Sequence, residues 1–234
     1  MSKNSILLCT YNEGKYVRET ILELKKNIED LEVIVVDDNS TDNTLEELKS
    51  LKSIVNIKII TRKKAKGLAS AFQRALIETS GDNIGWIDSN MSEVAKKFPF
   101  MIKELEKYDL ILLSRYIEGG ADDRVLIRVL GSKLINFVCR IILGNKIKDY
   151  TSSIFIMKKN VLNETTILGY GHGDFFVEFL YSVLKKNFSI KEIPYTQKKD
   201  DEGSNTSTSP NIFRFFILGF FYFLRVLIIR FRRD

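Results

Sequence analysis

Histidine and cysteine are scarce in this chain of 234 residues, which contains one histidine and two cysteines. The single histidine, His172, excludes every catalytic scheme or metal site that needs two histidines. Cys9 lies in an apolar run and Cys139 in a predicted helix, and two cysteines so placed are too few for a disulfide framework or a metal cluster. This usage favours a reducing, cytoplasmic setting.

Several motifs that mark common enzyme classes are also missing. The sequence has no Gly-x-Ser-x-Gly elbow and no phosphate-binding P-loop, which argues against a serine hydrolase and a P-loop nucleotidase. The glycine-rich "GYGHG" lacks the strand-then-helix context of a dinucleotide fingerprint. The first apolar run is only four residues long before polar residues follow, so we do not expect a secretory signal.

The positive charge of the chain is concentrated at its C-terminus. The formal net charge is +6, but the last 23 residues contribute +4 of it through five arginines and one aspartate. The other residues carry about +2, which gives no basic surface of the kind that binds nucleic acid. We therefore predict no nucleic-acid partner.

Short apolar runs alternate with segments of helical spacing along the first half of the chain. The runs are Ile6 to Cys9, Val33 to Val36, Val55 to Ile60, Ile84 to Ile87 and Leu110 to Leu113. Strands buried on both faces read as continuous apolar runs, and helices connect parallel strands. The sequence therefore predicts an α/β fold with a mainly parallel sheet and helices on both faces, in one domain over residues 1–211.

Polar residues follow each predicted strand. They form the segments "TYNEG" (10–14), "DDNSTDNT" (37–44), "TRKKAKG" (61–67), "DSN" (88–90) and "SRY" (114–116). In open α/β sheets the ligand crevice lies beyond the carboxyl ends of the strands. We expect these segments to form one rim around a ligand.

The acids Asp37 and Asp38 admit two interpretations. Residues such as Asp42 in the same segment are turn formers and can cap the next helix. Capping does not account for two adjacent acids at the end of a buried strand, where each carboxylate needs a partner. A carboxylate at this position can accept hydrogen bonds from the ring N–H groups of a nucleotide base, and we favour that role.

The "DSN" segment is either a turn that ends a strand or a metal and phosphate site. Mg²⁺ and Mn²⁺ prefer oxygen ligands and leave room for phosphate oxygens. Asp88 offers a carboxylate, and Asn90 offers an uncharged carbonyl oxygen at the same spacing as a second acid. Arg115 in "SRY" has a planar guanidinium suited to phosphate oxygens.

The order of these motifs resembles glycosyltransferase family 2 with the GT-A fold. The likeness rests on "TYNE", "EVIVVDDNSTDNT", "KGLASAF", the Asp-x-Asp-like turn and "SRYIEGG". The segments "GLASAF", "SRYIEGG" and "DYTSSIFIMKK" are similar to the dolichol-phosphate mannosyltransferase and polyprenyl-phosphate glycosyltransferase branch. The likeness runs from Ser5 to about Ser204.

The resemblance implies a role for each matching residue. Asp88, Arg115 and Arg128 would be catalytic, with Asp88 and Asn90 on the metal. The residues that would border the donor and acceptor are Thr10, Tyr11, Asn12, Glu13, Asp37, Asp38, Gly67, Ser132 and Lys198. The sequence departs from the family where Asn90 replaces an acid and where Lys198 and Lys199 are followed by three acids.

The resemblance implies an inverting transfer of mannose or another hexose from a nucleotide sugar to a polyprenyl phosphate, assisted by Mg²⁺ or Mn²⁺. Such an acceptor is already ionised and needs no base. A hydroxyl acceptor on a glycan would need one, and Asp174 or Glu178 would be the candidates. A third alternative is a non-catalytic nucleotide-sugar or lipid-binding module, suggested by Asn90.

The last segment, residues 212–234, is the most apolar of the chain. Its apolar core of 18 residues is near the lower limit for crossing a bilayer and includes Arg214 and Arg225. Helical spacing places Arg214, Arg225 and Arg232 on one face. We expect a helix in the membrane surface at the cytoplasmic side, with phenylalanines inward and arginines on anionic lipid, rather than a spanning or a buried helix.

Overall fold

The structure is a computed structural model of the chain. It describes residues 2–165, 167, 169–171, 173–199 and 212–232, with the backbone alone for residues 212–216 and 218. His172 lies outside the described residues, and so does the segment 200–211, whose polar composition predicts a mobile loop.

The chain forms strands and helices in alternation. The strands are β1 (Asn4–Thr10), β2 (Leu31–Asp37), β3 (Asn56–Thr61), β4 (Asn83–Trp86), β5 (Leu110–Ser114), β6 (Ala121–Asp122), β7 (Phe155–Lys158), β8 (Ile190–Pro194) and β9 (Thr196–Gln197). The helices are α1 (Val17–Asn27), α2 (Thr44–Ser50), α3 (Leu68–Leu76), α4 (Ser92–Ala95), α5 (Phe98–Glu104), α6 (Leu126–Ile142), α7 (Lys159–Glu164), α8 (Asp174–Lys185) and α9 (Ile212–Phe231).

A seven-stranded sheet has the order β3-β2-β1-β4-β7-β5-β8. Neighbouring strands run parallel, except that β7 is antiparallel to both β4 and β5. Because β7 lies between them, β4 and β5 run in the same direction. The carboxyl ends of β1, β2, β4 and β5 therefore meet at one edge, as the sequence predicts.

Alternate side chains of the strands enter two separate hydrophobic cores. Leu7 and Ile34 pack on the side of α3, α6, α8 and α9, whereas Ile6 and Val33 pack on the side of α1, α2 and α5. This two-sided burial explains why β1 and β2 are uninterrupted apolar runs. The predicted α/β architecture with helices on both faces is confirmed.

The segment "IEGGADDR" is more ordered than its composition suggests. It contains β6, which pairs in parallel with β9. The side chain of Asp122 in β6 is 2% exposed and pairs with Arg124. A buried ion pair thus holds a segment whose two glycines and two aspartates are typical of a flexible loop.

The predicted orientation of the C-terminal helix is wrong for Arg225 and Arg232, whereas the side chain of Arg214 lies outside the described part of the chain. Arg225 is 7% exposed and pairs with Asp174 and Glu178 of α8, and Arg232 also pairs with Glu178. Arg225 and Arg232 face the protein because α8 supplies two carboxylates there. Large apolar side chains, including Phe220 and Phe221, are exposed instead. Across the described ranges, no helix combines the length and the apolar character that a membrane span requires.

Candidate active site

The segments that follow β1 and β2 are joined by hydrogen bonds. The backbone N–H of Asn12 donates to Ser40 Oγ (2.9 Å), and the N–H of Thr41 donates to Asn12 Oδ1 (2.8 Å). Asn12 has a φ of 57°, a left-handed conformation that asparagine tolerates better than most residues. Tyr11 remains 44% exposed at the edge of this surface, with Lys66 Nζ 4.9 Å from its ring centroid.

Protein groups satisfy both acids at the end of β2. Asp37 accepts hydrogen bonds from Thr10 Oγ1 (3.1 Å) and from the N–H of Ser40 (3.0 Å). Asp38 accepts from Arg62 Nε (2.6 Å) and from the N–H of Gly67 (2.8 Å). Both buried acids therefore have hydrogen-bond partners within the protein, so their burial does not require a nucleotide base as a partner. Their contact with a nucleotide stays a prediction.

The residues that follow form a turn against the start of α2, although its N-cap residue, Asn43, makes no capping hydrogen bond through its side chain. Asp42 Oδ1 accepts a hydrogen bond from the N–H of Thr44 (3.0 Å), the first residue of α2. Thr44 Oγ1 in turn accepts from the N–H of Glu13 (2.8 Å). The turn formers of this segment therefore both start a helix and position Glu13.

Glu13 and Asp88 form the acidic part of the rim. Burial and the nearby Asp88 raise the pKa of Glu13 to about 7, although the Ser89 hydroxyl acts in the opposite direction. Burial also raises the pKa of Asp88, and the neighbouring Trp86 and Ser153 side chains act in the opposite direction. In both carboxyl groups the environment destabilises the ionised form, and a neighbouring cation would stabilise that form.

The "DSN" turn is fixed to the first helix. The Thr20 hydroxyl of α1 donates to the carbonyl oxygen of Ser89 (2.6 Å), and Ser89 is buried. Asn90 is half-buried beside it. In the part of the chain that the structure describes, no group of three or more His, Cys, Asp and Glu residues could hold a metal. An Mg²⁺ or Mn²⁺ ion at Asp88 and Asn90 would have to take further oxygen ligands from a diphosphate and water, and this metal site stays a prediction.

Arg115 is held by a buried carboxylate. Its Nε and Nη2 donate to the two oxygens of Asp149, both at 2.8 Å, and Nη2 also donates to Thr151 Oγ1 (2.7 Å). Arg115 is 5% exposed and Asp149 is fully buried. Asn136 of α6 donates to Thr151 Oγ1 (2.8 Å), which ties the helix to the same cluster. Arg115 thus has a structural role besides any contact with phosphate.

Arg124 also belongs to this cluster, although it is not among the site residues predicted from the sequence. It donates to Asp122 through Nε (2.8 Å) and Nη2 (2.7 Å), and to Ser132 Oγ through Nη2 (2.9 Å). Its charge, with that of Arg115, helps to lower the pKa of Asp122 to about 2, although burial alone would raise it. The only sequence signal was the arginine that ends "GGADDR".

A cavity of about 530 Å³ opens beside Asp88. Its lining combines Asp88, three arginines and hydroxyl groups with aromatic and aliphatic side chains. The polar residues are Asp88, Arg115, Arg124, Arg128, Ser132, Thr151 and Ser153, and the apolar residues include Phe72, Trp86, Ile135, Val138, Phe155, Phe176, Phe220 and Phe223. Four of the predicted site residues, Asp88, Arg115, Arg128 and Ser132, are therefore brought together.

The other predicted site residues lie away from this cavity. Its lining includes none of Thr10, Tyr11, Asn12, Glu13, Asp37, Asp38, Gly67, Asn90 and Lys198. Most of these follow β1, β2 and β3, whereas Lys198 is exposed just after β9. Asp88 lies between the strand-end loops on one side and the arginine-lined cavity on the other.

The two candidate bases for a hydroxyl acceptor hold α9 in place. Arg225 donates to Asp174 Oδ2 (2.6 Å) and Glu178 Oε2 (2.9 Å). The glycine-rich segment lies against the same helix, since a Cβ at Gly171 would be 2.4 Å from Arg225 Nη1 and one at Gly173 2.4 Å from the Tyr222 hydroxyl. Glycine is needed in this segment for close packing.

Comparison with known proteins agrees with these features. A family described as Glycosyl transferase family 2 matches residues 5–166. The dolichol-phosphate mannosyltransferase of Pyrococcus furiosus is 30% identical over 91% of this chain and 61% of its own length. The dodecaprenyl-phosphate galacturonate synthase of Rhizobium johnstonii is 25% identical over 83% of this chain and 58% of its own length.

A solved structure shares the fold over the whole chain. It is glucosyl-3-phosphoglycerate synthase from Mycobacterium tuberculosis in complex with Mn²⁺, uridine diphosphate and phosphoglyceric acid, with a TM-score of 0.74 and 16% identity. The match covers 100% of this chain and 80% of that one. The predicted GT-A fold is confirmed.

Proposed function

The chain belongs to glycosyl transferase family 2, and on that premise we propose that it transfers a sugar from a nucleotide sugar to a polyprenyl phosphate with inversion. The sugar is mannose or another hexose. Two relatives are named for dolichol phosphate and dodecaprenyl phosphate. The chain spans about three fifths of their length, so the reaction, the donor and the acceptor are all part of the proposal.

The observation that carries the proposal is the chemistry of the cavity beside Asp88. Arg115, Arg124 and Arg128 line the same space as a large set of aromatic and aliphatic side chains. Guanidinium groups suit phosphate oxygens, and apolar walls suit a hydrocarbon chain. A lipid phosphate has both parts in one molecule.

A phosphate acceptor also requires no general base in the cavity. A phosphate oxygen is ionised near neutral pH, so the chain needs only to position it for attack on the anomeric carbon of the sugar. The arginines hold the attacking phosphate, and the strand-end loops around Asn12 and Glu13 hold the nucleotide. No residue of the cavity has to remove a proton.

Asp88 and Asn90 would hold Mg²⁺ or Mn²⁺ when the donor is bound. The ion would stabilise the charge on the departing nucleoside diphosphate. Asp88 is the only acid that lines the cavity in the described part of the chain. Asn90 contributes an oxygen without charge, so we expect weak metal binding before the donor supplies its phosphates.

A glycan hydroxyl acceptor is the second candidate, and the structure favours it less. Glu178 is 3% exposed and pairs with Arg225 and Arg232. Asp174 shares Arg225. Both carboxylates are thus occupied by ion pairs with arginines of α9, which leaves neither placed to act on a sugar hydroxyl.

A thermal-shift screen tests donor binding. The protein is heated with UDP-sugars and GDP-sugars, with and without Mn²⁺, since a ligand at 100 times its Kd stabilises the folded state by about 2.7 kcal/mol. We expect one donor class to raise the melting temperature in an Mn²⁺-dependent way, and Asp88→Asn to remove that dependence. An equal Mn²⁺ effect in Asp88→Asn would contradict the metal assignment. Donor binding without transfer to any acceptor would favour the non-catalytic binding module.

A further inference from the structure

Helix α6 exposes a row of large apolar side chains. The row consists of Leu126, Leu130, Leu134, Phe137 and Ile141, which are between 57% and 72% exposed. At about 100° per residue they fall within a sector about 80° wide on one face of the helix. Exposed apolar side chains that form a continuous row, rather than standing singly, mark an interaction surface.

The α6 row continues onto the C-terminal helix. Helices α6 and α9 pack against each other, and Phe220 and Phe223 of α9 are 58% and 39% exposed. Leu134 of the row lines the cavity beside Asp88 together with these two phenylalanines. The cavity therefore opens where the exposed apolar side chains of the two helices meet.

The charges of α6 indicate what covers its apolar row. The helix contains Arg128, Lys133 and Arg140 and no acid, and Lys133 and Arg140 fall within about 40° of the edge of the row. A second copy docked through α6 about a two-fold axis would face the same cations with no acid of the helix between them. Anionic lipid headgroups supply the opposite charge.

We propose that the exposed face of α6 lies in the surface of an anionic lipid bilayer, alongside the exposed aromatic face of α9. The apolar row enters the boundary between headgroups and acyl chains, and Lys133 and Arg140 contact lipid phosphates. The mouth of the cavity then faces the bilayer, so a prenyl chain can enter without crossing water. This last consequence rests on the proposed function, whereas the docking does not.

Vesicle flotation of the full chain tests the docking. The vesicles are phosphatidylcholine with or without phosphatidylglycerol. We expect the wild type to float with the anionic vesicles and L130E/F137E/I141E to bind them at least about tenfold less. These three side chains do not line the cavity. The control I54E/I77E/F100E changes three exposed apolar residues outside α6 and α9 and should bind like the wild type.

A fluorescence measurement locates the contact without disrupting it. F137W places a tryptophan in the row, and F100W is the matched control on α5. Brominated lipids in the anionic vesicles should quench the added fluorescence of F137W and leave that of F100W unchanged.

Three results would overturn the proposal. In the first, the wild type does not float with the anionic vesicles. In the second, L130E/F137E/I141E melts normally and floats like the wild type. In the third, the wild type self-associates without binding vesicles, and L130E/F137E/I141E abolishes this self-association. The last result would assign the row to a second copy. Donor-induced thermal shifts should be the same in the triple variant and the wild type, so failure of the docking and failure of the proposed function are distinguishable.

Discussion

At the scale of single residues, Asp149 determines what Arg115 can do. The guanidinium makes two hydrogen bonds of 2.8 Å to this buried carboxylate and is itself 5% exposed. One side of Arg115 still lines the cavity. Arg115 is therefore both an anchor of the fold and a phosphate contact in the proposed reaction, and its substitution would affect stability as well as turnover.

We predict that Asp149→Asn lowers the free energy of unfolding by about 3 kcal/mol, because it removes the carboxylate that makes two hydrogen bonds to a buried guanidinium and leaves it the more distant Asp122, at 3.5 Å. Urea denaturation measures the loss. Glu78→Gln is the control, since it removes a carboxylate that pairs with the exposed Lys58 and the partly exposed Arg74, and exposed pairs contribute little to stability. Equal losses in the two variants would contradict the structural role of Asp149.

Glu13 should make stability depend on pH near neutrality. Its pKa rises from 4.5 to about 7 on folding, through burial and the nearby Asp88. The folded protein thus holds a proton that the unfolded chain has released, and stability falls as pH rises between these two values. In metal-free protein, Glu13→Gln should flatten the fall in melting temperature from roughly pH 5 to pH 8.

The matched control for this pH profile is Glu46→Gln, which changes an exposed carboxyl group on α2. It should keep the wild-type slope. If Glu13→Gln also keeps that slope, the raised pKa of Glu13 is wrong.

At the scale of elements, α9 is attached to α8 through Arg225. The guanidinium pairs with Asp174 and Glu178 and donates to the carbonyl oxygen of Tyr170 (3.1 Å). Val226 and Ile229 of α9 belong to the same hydrophobic core as α3, α6 and α8. The helix that we predicted as a separate membrane element is thus also part of the wall of the cavity.

Arg225→Met should loosen α9. The substitution leaves the buried Glu178 with one cation fewer, which we expect to cost about 3 kcal/mol and to speed amide exchange in residues 212–231. Hydrogen-exchange mass spectrometry measures the second effect. Arg230→Met is the control because Arg230 is exposed on the same helix. Equal exchange in the two variants would contradict the attachment.

The sequence predicted most elements because each one buries a periodic set of apolar residues. The five apolar runs coincide with β1 to β5, and the helix predicted around Cys139 coincides with α6. The direction of β7 could not be predicted, because an apolar run does not specify whether its neighbours are parallel.

Partners that are distant in sequence account for the errors. Helical spacing placed the arginines of α9 on one face, but nothing local showed that Glu178 would meet Arg225. The same holds for Arg62, which neutralises Asp38 from 24 residues away. The rim itself was predictable because the carboxyl ends of parallel strands meet at one edge.

At the scale of the whole molecule, the two halves of the site meet at Asp88. The loops after β1 and β2 form one side, and the cavity among α3, α6, α8 and α9 forms the other. A donor bound by the loops and a lipid phosphate in the cavity would bring the leaving diphosphate and the attacking oxygen to the same carboxylate. This arrangement explains how a site with a single acid in the cavity could serve a transfer that requires no base.

The most direct test of the central claim is transfer of a radiolabelled sugar from the donor that binds in the thermal-shift screen to a polyprenyl phosphate, with Mn²⁺ present. We predict an organic-soluble sugar phosphate product, with turnover reduced at least about a hundredfold in Asp88→Asn, since electrostatic stabilisation of the leaving group is a large part of catalysis. Product formed equally by Asp88→Asn, or transfer to a glycan hydroxyl but to no lipid phosphate, would contradict the account.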